Sequence, residues 1–466
     1  MRLEDIIKGT GATIVSGAPE MEIPAICCDS RKATPGSLFI AVNGCNADGH
    51  QFIESAKQNG AAAVVSADRK ALALCAGNFY DHPSEKLHLV GITGTNGKTT
   101  TVTLLYHLFT DLGYSCGLLS TIANYVGSRR SETENTTADP ITINALIAEM
   151  AAEGCEYCFM EVSSIGMVQD RVAGLHFCEG IFSNLTHDHL DYHKTFAEYL
   201  RCKKLFFDSL PEDAVAITNI DDKNGMVMVQ NCKARVVTYS CRNMADHTAK
   251  IIEESFDGME LRIDGKDVWT KLIGAHNAYN LLAIYSAAIE LGAAQEEVLV
   301  ALSRLESAPG RLETLRGPRD LSVIIDYAHT PDALDNVLRT LKEIATDKPL
   351  ICLFGCGGDR DRTKRPEMAQ IAEKYADRII VTSDNPRTEN AEGILDEIRK
   401  GFSQNGIAKA LFICDRREAI RVALMTAPQG AAVLLAGKGH ETYQVIGTQK
   451  LHFCEREIVE EVFKTL

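Results

Sequence analysis

The sequence predicts an α/β protein of three domains, with a mostly parallel central sheet and a C-terminal doubly wound sheet of Rossmann-like type. A chain of 466 residues is too long for one ordinary hydrophobic core, so roughly two to four domains are expected. Apolar strands alternate with helical stretches from residue 87 onward, and unusual polar clusters follow several of these strands. Ligands of open parallel sheets bind beyond the carboxyl ends of the strands, so the clusters indicate functional sites.

The first two predicted domains differ in pattern. Residues 1–86 contain short apolar pieces among turns, with a strand at 39–42, a second apolar piece at 61–65 and a short helix near 52–59. Residues 87–308 show βα alternation. The strands expected there include Cys158–Met160, Ile181–Phe182 and Ala214–Ile217. Between 234 and 270 the period-two alternation of residues such as Leu261–Ile263 predicts an antiparallel excursion.

The third predicted domain, 309–466, alternates more regularly. Its expected strands are Val323–Ile325, Leu350–Phe354, Ile379–Val381, Leu411–Ile413 and Ala432–Leu435. The clusters DYAHTP, GCGGDRD, SDNPR and GKGHE each follow one of these strands. The pattern is typical of a mostly parallel doubly wound sheet with a ligand site along one edge.

Composition excludes several classes of protein. The net charge of −15 disfavours nucleic acid as a partner, because basic surfaces drive that binding. No apolar run reaches the roughly 18 residues that a membrane helix needs, and the N-terminus MRLEDIIKGTGATIV is a poor signal peptide. The 15 cysteines are scattered along the chain and read as reduced thiols, so we expect a cytoplasmic protein without membrane insertion.

The segment GTNGKTT, residues 94–100, lies between an apolar strand and a helical pattern. A helix start offers unpaired amides and a positive dipole, and glycines let the backbone approach an anion. Lys98 adds charge, and Thr99 offers a hydroxyl to magnesium. Ile92 stands where the full GxxxxGK[ST] pattern has its first glycine, but the shorter form supplies the same parts. The predicted phosphate-binding residues are Gly94, Thr95, Asn96, Gly97, Lys98, Thr99 and Thr100.

Residues 187–193, HDHLDYH, form a second polar cluster. Zinc is one interpretation, but no second His or Cys group with suitable spacing accompanies the cluster. A surface loop without function is another. We expect one or two of these groups to complete a magnesium site with Glu161, a hard carboxylate ligand at the end of a strand.

Taken together, GTNGKTT, EVSS, NLTHDHLDYH, GAHNAYN, PGRLE, DYAHTP, GCGGDRD, DNPR and GKGHE occur here in the order found in Mur ligases. The chain resembles that family from about residue 27 to 441. The resemblance implies a central P-loop-type ATPase domain between a uridine-nucleotide domain and an amino-acid domain. It implies a magnesium- and ATP-dependent ligase of peptidoglycan precursor synthesis, which couples meso-2,6-diaminopimelate to UDP-N-acetylmuramoyl-L-alanyl-D-glutamate. A monomer is expected.

The resemblance also assigns residues to the UDP-linked acceptor. Those expected to hold the uridine diphosphate are Cys28, Ser30, Cys45, Asn46 and Ala47, and those expected to hold the muramoyl-peptide are Asn135, Thr136, Thr137, Ser163, Gln169 and Arg171. Ser30 could instead be a simple turn residue. Arg171 could instead make a surface salt bridge, although its guanidinium matches phosphate or carboxylate in two-pronged fashion.

Further positions are assigned to ATP and to metal. Asn277 and Asn280 would lie near the adenine, although either could be a helix cap. Arg311 would bind phosphate and Asp326 the ribose. His329 is assigned only as a pocket residue. Lys203 aligns with a lysine that the family carbamylates. In the alternative register, Lys204 would be that lysine. A third possibility is that the two residues are a solvated lysine pair without function. The expected metal ligands are Thr99, Glu161, His189 and carbamylated Lys203. Catalysis would involve Lys98 and Lys203, with His187 or Asp188 as general base.

The incoming amino acid has its own predicted site. The residues expected to hold diaminopimelate are Arg360, Asp384, Asn385, Pro386, Arg387, Gly437 and Glu441. Diaminopimelate carries two carboxylates and two ammonium groups, so Arg387 can bind the distal carboxylate while Asp384 and Glu441 meet the ammonium. A lysine substrate would leave Arg387 unpaired at a cost of ~1–3 kcal/mol. Arg387 could instead form a helix-start salt bridge with Glu389.

Two residues depart from the family pattern. Ile165 stands where a histidine usually follows EVSS, and Ala138 stands where a proline usually follows the paired threonines. Both fall in the acceptor stretches. The alternatives are therefore the same ligase acting on L-lysine or another diamino acid, a folylpolyglutamate synthase, which the UDP-type N-terminal segment and DNPR disfavour, and a non-catalytic nucleotide-binding paralogue.

Overall fold

The structure is a computed structural model of the 466-residue chain and describes residues 1–43, 48–133, 135–186 and 195–466. The chain forms two compact units. The first comprises Met1–Ala249 and Tyr279–Leu302, and the second comprises Lys250–Ala278 and Ser303–Leu466. The predicted domain division at 86/87 and 308/309 stays a prediction.

A four-stranded sheet lies at the start of the first unit. Its strands are β1 (Thr13–Ser16), β2 (Ile26–Cys27), β3 (Leu38–Val42) and β4 (Ala63–Ala67). The spatial order is β1-β4-β3-β2, and β1 alone pairs antiparallel. Alternate residues of β3 contribute to two separate cores: Leu38 and Ile40 face one, whereas Phe39 and Ala41 face the other. Both faces of this small sheet are therefore covered.

A larger, mostly parallel sheet follows in the first unit. Its strands are β5 (His88–Thr93), β6 (Cys116–Leu119), β7 (Asn124–Val126), β8 (Arg129–Ser131), β9 (Tyr157–Glu161), β10 (Glu179–Phe182), β11 (Val215–Asn219), β12 (Arg235–Ser240) and β13 (His247–Ser255), which continues beyond the unit. From β12 the order runs β12-β11-β10-β5-β9-β6-β7-β8, parallel as far as β6. The GTNGKTT, EVSS and NLTHDHLDYH segments thus follow the three adjacent strands β5, β9 and β10.

Helices of varied length connect the strands of the first unit. They are Leu3–Ile7, Ile53–Gln58, Arg69–Phe79, Lys98–Asp111, Pro140–Ala152, Ser164–Val168, Phe196–Asp208 and Gly225–Met228, with short 3-10 turns at Ser30–Lys32, Gly49–Phe52 and Pro83–Glu85. Two further helices, Ala275–Glu290 and Gln295–Arg304, cross the unit boundaries along the chain. Within the described ranges, none of the helices has the length and apolar character needed to span a bilayer.

The second unit contains a six-stranded sheet. Its strands are β16 (Glu313–Arg316), β17 (Ser322–Asp326), β18 (Leu350–Phe354), β19 (Arg378–Val381), β20 (Ala410–Phe412) and β21 (Ala432–Ala436). The order is β16-β17-β21-β18-β19-β20, with only β16 antiparallel. Two antiparallel hairpins accompany it, β14–β15 (Gly258–Ile263, Lys266–Thr270) and β22–β23 (Tyr443–Ile446, Gln449–His452). The antiparallel excursion expected between 234 and 270 is therefore present at 258–270, whereas β12 (Arg235–Ser240) pairs parallel with both β11 and β13.

Helices cover both faces of the six-stranded sheet. Its helices are Pro331–Ala345, Lys364–Tyr375, Ala391–Arg399, Gln404–Lys409, Arg416–Thr426 and Glu455–Phe463, with a 3-10 turn at Pro318–Asp320. Successive residues of the central strand β21 alternate between two cores: Ala432 and Leu434 pack with the helices of residues 331–399, and Val433 and Leu435 pack with the last two helices. The doubly wound α/β class expected from the sequence is confirmed.

Glu179, at the amino end of β10, is an isolated buried acid in this fold. Both carboxyl oxygens lack a hydrogen-bond partner within the described part of the chain. Burial raises the pKa of Glu179 well above its ordinary value; the charge of Glu290 raises it further and Arg235 opposes this. The native carboxyl therefore stays neutral at pH values where the unfolded chain ionises.

Replacing Glu179 with glutamine is expected to stabilise the protein increasingly as pH rises. The free energies of unfolding of the wild type and the variant should differ by a constant amount at pH values below 4.5, the ordinary pKa of glutamate that applies in the unfolded chain. Above pH 4.5 the free energy of unfolding of the wild type falls by up to ~1.4 kcal/mol per pH unit relative to that of the variant, until the carboxyl of the native protein ionises. Unfolding free energies measured between pH 4 and 8 would show this. The exposed Glu212→Gln serves as the control, and a pH-independent difference for Glu179→Gln would contradict the prediction.

Candidate functional site

The loop after β5 lies at the start of the helix Lys98–Asp111. Gly97 is the N-cap residue with φ 89°, and Gly94 has φ 151°, so both adopt conformations that favour glycine. A Cβ on Gly94 would collide with Ser183 Oγ, and one on Gly97 would collide with Asn280 Oδ1. The lack of side chains at both positions therefore lets the loop pack closely against Ser183 and Asn280.

The segment after β10 fixes the conformation of this loop. Asn184 accepts the Thr95 amide at 2.8 Å through its carbonyl and the Asn96 amide at 2.9 Å through its side chain. Ser183 Oγ donates to the Asn96 carbonyl at 2.7 Å. The phosphate-loop geometry expected from the sequence is therefore held by a neighbouring strand end, with the helix dipole directed at it.

Two lysines meet at the carbonyl of Gly94. Lys98 Nζ donates to this oxygen at 3.0 Å and to the Thr95 carbonyl at 2.9 Å, and Lys203 Nζ donates to the Gly94 oxygen at 2.6 Å. Lys203 is only 1% exposed, and its ammonium lies 4.7 Å from the Tyr199 ring centroid. Lys204 instead pairs with Asp208 on the outer side of its helix. Of the two registers, Lys203 is the lysine that contacts the predicted phosphate loop.

Lys98 and Lys203 also line a pocket of about 170 Å³ in the first unit. The other lining residues are Asn135, Thr136, Thr137, Ser163, Ser164, Ile165 and Arg171. Five of the six residues predicted to hold the muramoyl-peptide thus surround one cavity with the loop lysine, and the sixth, Gln169, contacts Arg171. Lys98 of the predicted phosphate loop thus lies in the same cavity as most of the residues expected to bind the acceptor.

Hydrogen bonds preorganise the walls of this pocket. Arg171 donates to Gln169 Oε1 from Nε at 3.0 Å and from Nη2 at 2.7 Å, and it also donates to the Thr137 carbonyl. Thr137 Oγ1 donates to the Glu161 carbonyl at 2.9 Å and accepts the Ser163 amide at 3.0 Å. Arg171 therefore contacts a neutral amide and a carbonyl, so its full positive charge is available to an anion.

Glu161 is a fully buried carboxylate at the end of β9, directly beside β5. Its Oε1 accepts the Thr121 amide at 2.7 Å, whereas Oε2 has no hydrogen-bond partner among the residues described. Such an orphaned buried oxygen fits a cation ligand. The described ranges contain no group of three His, Cys, Asp or Glu side chains that could hold a metal by themselves. His187, Asp188 and His189 lie outside the described residues.

The two departures from the family pattern differ in position. Ile165 lines this pocket and gives it an apolar patch, whereas Ala138 packs against the hydrophobic core. Of these two residues, only Ile165 contributes to the pocket lining.

The predicted uridine site is described in part. Ser30 is buried and begins the 3-10 turn Ser30–Lys32, and its carbonyl accepts Asn59 Nδ2 at 2.9 Å. Cys28 is exposed beside this turn. Cys45, Asn46 and Ala47 lie outside the described residues. The two asparagines predicted to lie near the adenine differ: Asn280 adjoins Gly97, whereas Asn277 Nδ2 donates to the Ile273 carbonyl at 2.8 Å.

In the second unit, four polar clusters share one edge of the sheet. DYAHTP, GKGHE, GCGGDRD and SDNPR follow β17, β21, β18 and β19, which are consecutive neighbours in the sheet. Burial raises the pKa of Asp326, and Arg311 opposes this; the carboxylate accepts the amides of Leu312 and Ala328 at 2.8 and 2.9 Å. Arg311 lies 5.2 Å from the Tyr327 ring, and its buried Nε has no partner in the described part of the chain. Arg311 thus retains a donor for an anion.

Arg387 adopts a left-handed backbone conformation, with φ 51°. The hairpin β22–β23 holds it there, because Arg387 N donates to Val445 O at 3.1 Å and Gly447 N donates to Arg387 O at 2.8 Å. Its Nη1 donates to the Gly358 carbonyl at 2.9 Å and lies against Gly357, which Arg360 also adjoins. Strained residues held by their surroundings cluster at functional sites. The structure therefore brings both predicted arginines to one loop.

Glu389 does not pair with Arg387. It binds the fully buried Arg365 at 2.9 Å, and this hydrogen bond lowers the pKa of Glu389 to about 2. Arg365 also binds Glu397 at 2.6 Å and the Gly357 carbonyl at 3.2 Å. The alternative of a helix-start salt bridge for Arg387 is wrong, and its guanidinium charge has no carboxylate partner within the described ranges.

The remaining predicted residues surround a buried lysine that sequence reasoning left unassigned. Lys438 Nζ lies 3.0 Å from Glu441 Oε2, 3.2 Å from Asn385 Oδ1 and 3.5 Å from Asp384 Oδ1. Gly437 N donates to Asp326 O at 3.0 Å, and Pro386 is buried against Gly358. Below them, Arg416 bridges the carbonyls of Ser383 and Ala436, the residues before Asp384 and Gly437. In the sequence, only its position within the GKGHE motif pointed to Lys438 as a member of this group.

Three family descriptions match successive parts of the chain. "Mur ligase family, catalytic domain" matches residues 22–95, "Mur ligase middle domain" matches 92–288 and "Mur ligase, glutamate ligase domain" matches 310–439. A protein from Cytophaga hutchinsonii named UDP-N-acetylmuramoyl-L-alanyl-D-glutamate--2,6-diaminopimelate ligase is 50% identical over 484 aligned residues, covering 100% of both chains. The chain belongs to the Mur ligase family.

Solved structures also resemble this Mur ligase. One, of a UDP-N-acetylmuramoyl-L-alanyl-D-glutamate--2,6-diaminopimelate ligase, has a TM-score of 0.74 and 32% identity, and the match covers 100% of this chain and 99% of the other. A MurF ligase from Thermotoga maritima in complex with ADP has a TM-score of 0.61 and 17% identity over 95% and 97% of the two chains. The second likeness shows the Mur ligase fold alone.

Proposed function

We propose that this protein is an ATP-dependent ligase of peptidoglycan precursor synthesis. It adds meso-2,6-diaminopimelate to the γ-carboxylate of the D-glutamyl residue of UDP-N-acetylmuramoyl-L-alanyl-D-glutamate. The observation that carries the proposal is the single pocket that Lys98 and Lys203 share with Arg171 and the Thr136–Thr137 pair. A phosphate donor and a carboxylate acceptor bound to these groups would meet in one cavity. The names and full-length similarity of the relatives support the same activity.

The triphosphate would bind at residues 94–100, where loop amides and the helix dipole favour an anion. Lys98 would exchange the Gly94 and Thr95 carbonyls for phosphate oxygens. In the second unit, the buried Nε of Arg311 has no partner among the described residues and would donate to phosphate, and Asp326 would bind the ribose. Asn280, beside Gly97, supports the adenine assignment better than Asn277, whose side-chain Nδ2 donates to the Ile273 carbonyl.

Magnesium would be held by Thr99, Glu161 and Lys203 in its carbamylated form, with His189 as the remaining predicted ligand. The orphaned Oε2 of Glu161 and the buried position of Lys203 fit this set. Lys98 and Lys203 donate to the same oxygen, so converting Lys203 into an anionic carbamate would also remove the repulsion between two neighbouring ammonium groups. The ion would supply positive charge near the phosphates.

The acceptor carboxylate attacks the γ-phosphorus of ATP, ADP leaves, and an acyl phosphate forms. The amine of diaminopimelate then attacks the acyl carbon and inorganic phosphate departs, giving the amide. Arg171 orients the acceptor through its anionic groups, and Lys98 stabilises the charge on the transferred phosphoryl group; positioning and electrostatics carry most of such catalysis. His187 or Asp188 remains our proposed general base.

Diaminopimelate would bind at the edge of the six-stranded sheet. Arg387 has no carboxylate partner within the described ranges, so it can bind the distal carboxylate of diaminopimelate. Arg360 lies nearby, because both arginines adjoin Gly357. Asp384 and Glu441 would meet the distal ammonium, and Asn385, Pro386 and Gly437 shape the loops that carry them. L-Lysine would leave Arg387 without its anion.

A phosphate-release assay with the UDP-dipeptide, ATP and a panel of amino acids tests the proposal. Release is expected only when acceptor and diaminopimelate are both present. Replacing Arg387 with methionine should lower the diaminopimelate-to-lysine ratio of kcat/KM about 10- to 100-fold, equivalent to ~1–3 kcal/mol. The matched control is the exposed Arg421→Met, which should leave the ratio unchanged. Equal use of lysine by the wild type would instead favour the lysine-adding alternative, and no amino-acid-dependent release would favour a non-catalytic paralogue.

A further inference from the structure

Lys438 is a fully buried lysine at the carboxyl end of β21. Its ammonium contacts Glu441, Asn385 and Asp384 at 3.0, 3.2 and 3.5 Å, and lies 5.8 Å from the rings of both Tyr443 and Phe453. Lysines are rarely buried unless paired, because their charge is costly to desolvate. Its three polar partners are all residues proposed to bind diaminopimelate.

Lys438 sets the net charge of this group. Asp384 and Glu441 carry two negative charges in a largely buried place, and one resident ammonium reduces the sum to a single negative charge. Asp384 Oδ1 has only the long 3.5 Å contact to Lys438 and no hydrogen-bond partner among the described residues. One carboxylate therefore keeps acceptor capacity for a substrate cation.

Lys438 also fixes the orientation of Asn385. Asn385 Oδ1 accepts Lys438 Nζ and the Val445 amide at 2.9 Å, which turns its Nδ2 toward Glu441 Oε2 at 3.0 Å. Glu441 Oε2 is thus bound by both Lys438 and Asn385. The Asn385 amide and the Glu441 carboxylate are therefore held before a ligand arrives.

We propose that Lys438 is a specificity-determining positioning residue of the diaminopimelate site, an inference that rests on the proposed function. Its ammonium cancels one of two carboxylate charges, so that the pocket offers the amino acid one available anion beside the Arg387 guanidinium. That combination matches the zwitterionic distal end of diaminopimelate. Without Lys438 the pocket gains one negative charge and favours a substrate with a bare distal ammonium, such as L-lysine.

Three proteins test this inference: the wild type, Lys438→Met, and the charge-balanced double variant Lys438→Met/Glu441→Gln. For Lys438→Met we expect KM for diaminopimelate to rise at least tenfold, and the diaminopimelate-to-lysine ratio of kcat/KM to fall at least tenfold. KM for ATP should stay within threefold. The double variant restores a single negative charge, so the ratio should return to within about threefold of the wild type.

Binding of each amino acid is also measured by calorimetry, which requires no turnover. The exposed Lys374→Met is the control, and circular dichroism reports whether each variant is folded. If Lys438→Met fails to fold, the double variant provides the test, and a diaminopimelate-to-lysine ratio of kcat/KM equal to that of the wild type supports the inference. Variants that lose activity toward both amino acids with an unchanged ratio would overturn it, as would a Lys438→Met protein with wild-type selectivity. Failure of the wild type to use diaminopimelate at all would instead refute the proposed function.

Discussion

Lys98→Met is expected to lower kcat for phosphate release about 10²- to 10³-fold, equivalent to ~2.7–4 kcal/mol of transition-state stabilisation. Lys98 is the first residue of the helix after β5, and its ammonium lies at the carbonyls of Gly94 and Thr95. A positive charge at this position stabilises the negative charge of the phosphoryl group during its transfer. Methionine keeps most of the length and apolar volume of lysine but removes the positive charge. Steady-state release with saturating diaminopimelate and acceptor measures the effect.

The matched control for Lys98→Met is Lys86→Met, which removes an exposed lysine paired with Asp81 in the same unit. Exposed ion pairs contribute little, so Lys86→Met should behave as the wild type. Nucleotide affinity measured separately distinguishes lost binding from lost catalysis. A Lys98→Met protein with kcat within threefold of the wild type would refute the role assigned to this lysine.

Arg416→Met is expected to destabilise the second unit by ~3–5 kcal/mol. Arg416 and Glu455 are both fully buried, with Nη2 and Oε1 separated by 2.8 Å. Burial raises the pKa of Glu455 and Arg416 opposes this, so removing the guanidinium strands a carboxylate in the core. The same change also frees the carbonyls of Ser383 and Ala436, which Arg416 binds at 3.3 and 2.8 Å. The single tryptophan, Trp269, lies in β15 of this unit, so its fluorescence in urea reports the transition.

The neighbouring Arg417→Met is the control, because Arg417 pairs at 2.7 Å with Glu461, which lies on the helix that carries Glu455, but this pair is on the surface. We expect it to cost at most ~1 kcal/mol. The double variant Arg416→Met/Glu455→Met removes both buried charges and should recover most of the loss, since apolar replacements of buried pairs are often neutral. A loss below ~1 kcal/mol for Arg416→Met would contradict the assigned role of this pair.

Periodicity predicted the sheets well. The expected strand Leu350–Phe354 has the observed bounds, and the other four predicted C-terminal strands differ by one residue at one or both ends, whereas the edge strand β16 was not predicted. The reason is that buried parallel strands appear as short apolar runs, whichever helices cover them. The polar clusters could be placed at one edge because consecutive parallel strands end on the same side. Lys98 and Lys203 were identified by motif and resemblance, and the structure adds that they share the Gly94 carbonyl.

Buried charge pairs were harder to predict. Arg365 is 24 positions from Glu389 along the chain and Arg416 is 39 from Glu455, and nothing in local periodicity reveals such partners. Lys438 stands in a recognised motif, but its contacts with Asn385 and Asp384 depend on how β19 and β21 are placed in the sheet. The left-handed backbone of Arg387 likewise depends on a hairpin that follows it by more than 50 residues. Such features arise from tertiary packing rather than from propensity.

The tether between Arg387 and the hairpin β22–β23 has an implication for evolving or redesigning substrate choice. Arg387, proposed to bind the distal carboxylate, is positioned by a separate stretch of chain. The backbone of that stretch bonds to the amide and to the carbonyl of Arg387, and its Gln444 also donates to the Asp384 carbonyl at 2.7 Å. Insertions or deletions at the tip of that hairpin would re-aim the guanidinium without altering the DNPR motif. Two enzymes with identical recognition motifs could therefore accept different nucleophiles.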